Sequence, residues 1–300
     1  MFIVDGILPL FKPKGPTSHD CVFKLRKILG QKKVGHTGTL DPEVEGVLPI
    51  CLGEGTKVIP FLIGHVKEYI ADIQLGRSTT TEDALGETVA QTSQFDMPSD
   101  TEISHILNMF TGNINQIPPM YSAVKVKGKK LYEYARQGIE IERPVRQIRI
   151  HELEQLEKIV ANGLIRVRVV CSKGTYIRTL CVDIGNALGL PAHMGTLIRT
   201  VSDGISYKET VTFTELEEKV LQKEASSLLL PVERLLTHMD AIQLNETTAK
   251  RVSYGQKLPL PEKHVGTDPF KMMYKNKLLA IYEKRGNIIK PVRVFNLTQK

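Results

Sequence analysis

Asp41 stands in the run Gly35-His36-Thr37-Gly38-Thr39-Leu40-Asp41-Pro42. A carboxylate in a short glycine-bearing turn, with Leu40 and Val44 beside it, is where a fixed nucleophile or general base can sit. The glycines permit close backbone approach or positive φ, and Pro42 biases Asp41 away from helical geometry. The same residues also describe an ordinary Asp-Pro turn. A second candidate is Arg178, which falls in the first turn of a helical pattern. A cation there is disfavoured by the helix dipole by ~0.3–1 kcal/mol. Its placement points to a compensating carboxylate or phosphate, or to a surface Arg reaching solvent. Third, Tyr121 to Gly138 interleaves Lys125, Lys127, Lys129, Lys130 and Arg136 with Tyr121, Tyr132 and Tyr134. That mixture suits phosphate contact and base stacking, and equally a solvated hairpin followed by an amphipathic helix.

The elements that must hold these residues are legible from pattern. Ile7 to Phe11 reads as a strand, broken by Lys12-Pro13-Lys14-Gly15-Pro16. Thr17 or Ser18 then caps a helix carrying Val22, Leu25, Ile28 and Leu29, which Gly30 ends. Val47 to Leu52 is a buried-strand pattern. Glu68 to Leu75 alternates, with Tyr69, Ala71, Ile73 and Leu75 on one face. Thr79 to Gly86 is a polar loop, and Ser104 to Phe110 reads as a short helix. Leu164 to Cys171 alternates as a strand. Thr175 is expected to cap the next helix, whose stripe is Ile177, Leu180, Cys181, Ile184 and Leu188, ended by Gly189 and Pro191. Pro231 to Asp240 reads as a connector. Beyond it lies a small β-rich appendage: a short helix near Thr247 to Val252, then strands around Leu278 to Tyr282 and Ile288 to Phe295.

The 300 residues are 41% hydrophobic, which supports a substantial core and excludes wholesale disorder. A net charge of +7 suits a polyanion-binding surface. Cys21, Cys51, Cys171 and Cys181 lack Cys-x-x-Cys spacing, so they read as small buried hydrophobes and not as a zinc or redox site. No signal-peptide pattern or membrane-length apolar run is present, and a cytoplasmic protein is expected.

Taken together, the motifs resemble the TruB family of tRNA pseudouridine synthases. The resemblance rests on Lys12-Pro13-Lys14-Gly15-Pro16-Thr17-Ser18, the Asp41 run and Gly46-Val47-Leu48-Pro49, then on Lys67-Glu68-Tyr69, Ile117-Pro118-Pro119-Met120-Tyr121-Ser122-Ala123 and Cys171-Ser172-Lys173-Gly174-Thr175-Tyr176-Ile177-Arg178. Several separate blocks in this order make the assignment specific. It implies an α+β pseudouridine synthase fold with a mixed, mostly antiparallel central sheet over residues 1–235. It also implies an RNA-gripping thumb loop at about 117–145 and a small PUA-like RNA-binding barrel over 236–300.

The implied reaction isomerises the uridine at position 55 in the T-loop of tRNA, without cofactor or metal. The C1′–N1 bond breaks, the uracil turns, and C5 bonds to C1′. Positive charge developing at C1′ calls for one ionised carboxylate. By the resemblance Asp41 is the catalytic Asp, by attack at C1′ or deprotonation at C2′. Arg178 pairs with it, keeping it ionised and oriented. Tyr69 stacks on the flipped uracil and helps remove the C5 proton. Tyr176 and Leu197 line the uracil pocket, and His36 contacts the RNA beside the target. Lys57 is a further candidate for backbone phosphate. Glu43 and Glu45 are not expected to take part. Thr80 stands where family members commonly carry an Asp, implying at most reduced or differently tuned activity.

The partner is the tRNA T-arm, no membrane is involved, and a monomer is expected. The alternative is a tRNA-binding or folding protein with secondary catalysis. A phosphate-binding nucleotide loop at Gly35 to Thr39 fails on pattern, because no Gly-Lys-Ser/Thr follows it.

Overall fold

The fold is that of a computed structural model describing residues 4–62, 66–261 and 266–296. In chain order its elements are β1 (Gly6–Lys12), α1 (Ser18–Leu29), β2 (Val34–His36), β3 (Glu45–Leu52), β4 (Lys67–Leu75), β5 (Arg77–Thr79), β6 (Thr88–Gln91) and α2 (Asp100–Met109). Next come β7 (Gly112–Gln116), β8 (Lys125–Val126), β9 (Lys129–Lys130), α3 (Leu131–Ala135), β10 (Arg146–Ile159), β11 (Leu164–Cys171), α4 (Ile177–Ala187) and β12 (Ala192–Ser202). The chain ends with β13 (Ile205–Ser206), α5 (Phe213–Leu221), β14 (Ala241–Gln243), α6 (Glu246–Ser253), β15 (Leu258–Pro259), β16 (Phe270–Tyr274), β17 (Lys277–Arg285) and β18 (Ile288–Val294). Short 3-10 turns lie between some of these. The chain forms two compact units, one of Met1–Pro42, Gly46–Ile63 and Asp203–Lys300, the other of Glu43–Glu45 and Gly64–Ser202.

In the first unit β1 runs antiparallel to β3 from Gly6↔Leu52 to Lys12↔Gly46, and β2 pairs with β3 from Val34↔Leu52 to His36↔Ile50. Leu8, Leu10, Leu48 and Ile50 from these strands pack against Cys21, Val22 and Leu25 of α1. Thr17 and not Ser18 is the cap: its side chain accepts from the Asp20 N–H at 3.0 Å, while the Asp20 carboxylate accepts from the Thr17 N–H. Gly30, at φ 61°, closes the helix in the left-handed conformation that costs glycine least.

The C-terminal strands form a sheet in the order β14-β16-β17-β18-β15, parallel only at β14–β16. One set of its side chains, including Phe270 and Tyr282, packs with Val252 of α6. The expected helix and the two longer strands are present. The strands β14, β15 and β16 lack a readable alternation, being short or closely spaced. The segment read as a connector is core instead. Val232, Leu235, Leu236 and Met239 are buried among Ile7, Cys51, Met273 and Ile281. Its Pro start masked an apolar one-turn pattern.

The second unit is built on an antiparallel sheet, β12-β4-β11-β10-β7. Tyr69, Ala71, Ile73 and Leu75 of β4 are buried, as the alternation requires. Asp72 on the opposite face is buried too, because Arg166 grips it with two bonds of 2.7 and 3.1 Å. Arg168 similarly bonds Glu68, Glu152 and Glu154, lacing β4, β11 and β10 on that face. Helix α2 begins earlier than expected. Ser99 caps it in a capping box with Glu102, the third residue of the helix, and Ser104 is simply a residue of its interior.

Candidate active site

Asp41 lies in the loop joining β2 to β3, half-buried, between buried Leu40 and Val44. The loop is tied down through its backbone. The Thr37 N–H donates to the Pro49 carbonyl at 3.1 Å, and the Thr37 hydroxyl donates to the buried Asp203 carboxylate. Lys12, fully buried, donates to the carbonyls of Pro13 and Pro42 at 3.0 Å each, and the Gly15 N–H also donates to Pro42 at 3.0 Å. Ser18 binds both backbone groups of Leu40. Neither Gly35 nor Gly38 adopts positive φ. Gly35 serves close approach, since a Cβ there would lie 3.1 Å from Ile59 Cδ1. His36 is half-buried at the end of β2.

The other expected site residues belong to the second unit. Buried Tyr69 sits on β4 opposite Val169 of β11 and Arg199 of β12. Leu197, also buried, faces Ala71, two residues along β4. Helix α4 packs on β4 and β12 and starts with half-buried Tyr176 as its cap residue. Thr175 does not cap it; its hydroxyl donates back to the Ser172 carbonyl at 2.9 Å and closes the turn. Gln116 at the end of β7 takes over the fixing of this terminus. Its amide accepts from the Tyr176 N–H at 2.8 Å and donates to the Tyr176 carbonyl at 3.0 Å. The sequence signal for Gln116 is slight, a polar residue just before Ile117-Pro118-Pro119.

Arg178 is buried, 6% exposed, which excludes the surface reading. Its guanidinium donates to the carbonyls of Thr81 at 3.1 Å and Tyr121 at 2.9 Å. The planar fork therefore joins the start of α4 to two loops. Next to it the Thr179 hydroxyl donates to Glu82 at 2.6 Å. Glu82 holds a left-handed φ of 64°, and burial pushes its carboxyl up.

Asp183, one turn along α4 from Thr179, is pushed up to about 6 from 3.8 by burial first and by the Glu82 charge second. The folded state thus holds a proton that the unfolded chain releases, so this group costs stability as pH rises from near 4 through 6. Asp183→Asn is expected to raise the thermal midpoint by a few degrees at pH 8, worth about 1–2 kcal/mol after allowing for partial exposure. At pH 4 the gain should vanish. Thermal melts across that range check it, and an equal gain at both pH values would refute it.

Thr80 is exposed, and its hydroxyl accepts from the Glu87 N–H at 3.2 Å while its own N–H donates to the Glu87 carbonyl at 2.9 Å. An aspartate would offer the same acceptor. Thr80→Asp is therefore expected to leave turnover within about twofold of wild type. A larger gain would show that the Thr limits the enzyme.

In the 121–138 segment the fold is the hairpin and helix. β8 and β9 are joined by Lys127 and Gly128, both at positive φ, the turn type whose twist suits a hairpin. Lys130 and Arg136 lie 5.3 and 5.4 Å from the Tyr132 ring centre. Lys125, Lys127, Lys129 and Arg136 remain exposed. Lys57 bonds Glu54 and the Val294 carbonyl, so its charge is partly engaged within the protein.

Cys21, Cys51, Cys171 and Cys181 are free and buried, and burial raises their thiols, Cys171 to about 11. Among the described residues no helix is long and apolar enough to cross a membrane, and no cluster of three or more His, Cys, Asp or Glu could hold a metal. A cleft of about 950 Å³, lined by Leu75, Arg77, Asp96, Asn162 and His193 among others, contains none of the expected site residues.

Comparison with known proteins identifies the family. The family model for the N-terminal domain of TruB family pseudouridylate synthases matches residues 26–177, and that for the tRNA pseudouridylate synthase B C-terminal domain matches 178–237. A tRNA pseudouridine synthase B of Oceanobacillus iheyensis is 53% identical, with 99% of each chain covered. One from Bacillus pumilus is 48% identical, with 98% of each covered. Among solved structures, a chain of a Cbf5-Nop10-Gar1 complex superposes with a TM-score of 0.76 at 28% identity, covering 96% of this chain and 84% of that one. On matched family models spanning 26–237 and full-length relatives near half identity, the chain belongs to the TruB family of pseudouridylate synthases.

Proposed function

We propose that this enzyme isomerises the T-loop uridine of tRNA at position 55 to pseudouridine, with Asp41 as the catalytic carboxylate. The supporting observation is the Asp41 loop itself: a carboxylate beside buried Leu40 and Val44, on a loop fixed by backbone bonds from Lys12, Gly15 and Ser18. Such rigidity suits a group that must meet one carbon of a flipped nucleotide. A carboxylate at C1′ stabilises the positive charge that develops as the C1′–N1 bond breaks, or bonds to it. No water is consumed, because the detached uracil re-bonds through C5, so a second carboxylate is not needed. Arg178 orients Asp41. Tyr69 stacks on the uracil, and its hydroxyl assists loss of the C5 proton. Tyr176 and Leu197 complete the apolar wall, and His36 meets the RNA beside the target.

The exposed Lys125, Lys127 and Lys129 suit contact with T-arm phosphates. Residues 236–300 serve as the PUA-like RNA-binding part, and the enzyme works as a monomer in the cytoplasm. The test is conversion of an unmodified T-arm stem-loop, read by pseudouridine-specific chemistry. Product confined to the T-loop uridine is expected, and tight binding without product would favour an RNA-binding or folding protein.

A further inference from the structure

Thr17 takes the helix cap, which leaves the Ser18 hydroxyl for another task. Ser18 is the first residue of α1 and is 1% exposed. Its hydroxyl donates to the Leu40 carbonyl at 3.1 Å and accepts from the Leu40 N–H at 2.9 Å. One side-chain oxygen thus holds both backbone groups of the residue bonded to Asp41. The Leu40 N–H belongs to the Thr39–Leu40 peptide and its carbonyl to the Leu40–Asp41 peptide, so the two bonds orient both planes. The second plane carries the Asp41 N and Cα, and with Pro42 held on the far side it constrains where the Asp41 Cα–Cβ bond points. On the other side Pro42 is held separately by Lys12 and Gly15.

We infer that Ser18 is a positioning residue for the reaction, acting through the Leu40 peptide to aim the Asp41 carboxylate. The inference rests on the reading of Asp41 as the catalytic group. Ser18 is 1% exposed, so its hydroxyl is not presented at the surface to a substrate. Its hydroxyl cannot be replaced by packing alone, since removing it strands a buried N–H and a buried carbonyl. The loop then relaxes toward other partners, and a misplacement near 1 Å of a reacting group can cost on the order of 100-fold in rate.

The test measures steady-state and single-turnover rates on a T-arm stem-loop for wild type, Ser18→Ala, Ser18→Cys and Asp41→Asn, with a thermal melt of each. Cys keeps nearly the volume of Ser but is a poor donor and acceptor, so it preserves packing should the Ala variant fail to fold. Both Ser18 variants are expected to lose on the order of 10–100-fold in kcat with KM within about twofold of wild type. A Ser18→Cys enzyme with kcat within about twofold of wild type would overturn the proposal, whatever the Ala variant does. So would a rate loss that merely tracks a lost folded fraction. The two readings separate cleanly. An active Asp41→Asn enzyme would remove the role of Asp41, whereas an inactive Asp41→Asn beside a fully active Ser18→Cys would remove only that of Ser18.

Discussion

Asp41→Asn is expected to bind a T-arm stem-loop as tightly as the wild type and to lose turnover by on the order of 10⁴ or more. The substitution keeps the shape of the side chain and removes its charge. The loop should survive the change, because several of its fixings are backbone bonds that do not use the carboxylate. They are Ser18 to Leu40, Lys12 and Gly15 to Pro42, and Thr37 to the Pro49 carbonyl. On the proposed role of Asp41, what is lost is the negative charge facing a C1′ that becomes positive, together with the lone pair able to bond to it. Filter binding and single-turnover conversion measured on the same preparation decide the matter. Substantial product from the Asn variant would assign the chemistry to another group. A large drop in affinity would mean that the carboxylate also holds the RNA.

The second large effect is expected at Arg178, where even Arg178→Lys should reduce turnover by on the order of 10²–10³ and also lower the melting temperature. The guanidinium spans two carbonyls, those of Thr81 and Tyr121, through different nitrogens. A lysine ammonium reaches one such site as a point charge and lacks the planar fork. One part-buried carbonyl then loses this donor, at a cost of about 1 kcal/mol. The Thr81 and Tyr121 loops lose their common anchor at the start of α4. Comparison of Arg178→Lys with Arg178→Ala in kinetics and thermal melts tests this. If Lys restored wild-type kcat, charge alone would suffice and the fork geometry would be irrelevant. The neighbouring bond from Thr179 to Glu82 remains in both variants and should keep α4 itself folded.

Local chemistry was readable wherever a short stretch decides its own conformation. The α1 stripe ended by Gly30, the buried Tyr69 face of β4, and the order of the motif blocks around Asp41 and Arg178 all depend on spacing of a few residues. So does the family, because its motifs are contiguous. Even here the terminal residue of an element was open. Thr17 rather than Ser18 caps α1, and Tyr176 rather than Thr175 is the cap residue of α4.

The partners were not readable, because they depend on which elements become neighbours. Ser18 and Leu40 are 22 residues apart, Gln116 and Tyr176 are 60 apart, and Arg178 and Thr81 are 97 apart. A polar side chain in sequence carries no mark of the backbone group it will bind. Burial alone makes that bond obligatory, and burial is a property of the packed fold. Val232, Leu235 and Leu236 show the same limit for apolar residues. Too few to announce a helix, they read as a connector until the strands bearing Ile7 and Ile281 supplied a core for them to enter. Periodicity and turn chemistry thus set the elements, while contiguous motifs carried the family resemblance and, with it, the proposed reactive side chains. Tertiary packing alone decided which buried groups hold those side chains in place, since only packing removes the water that would otherwise satisfy them.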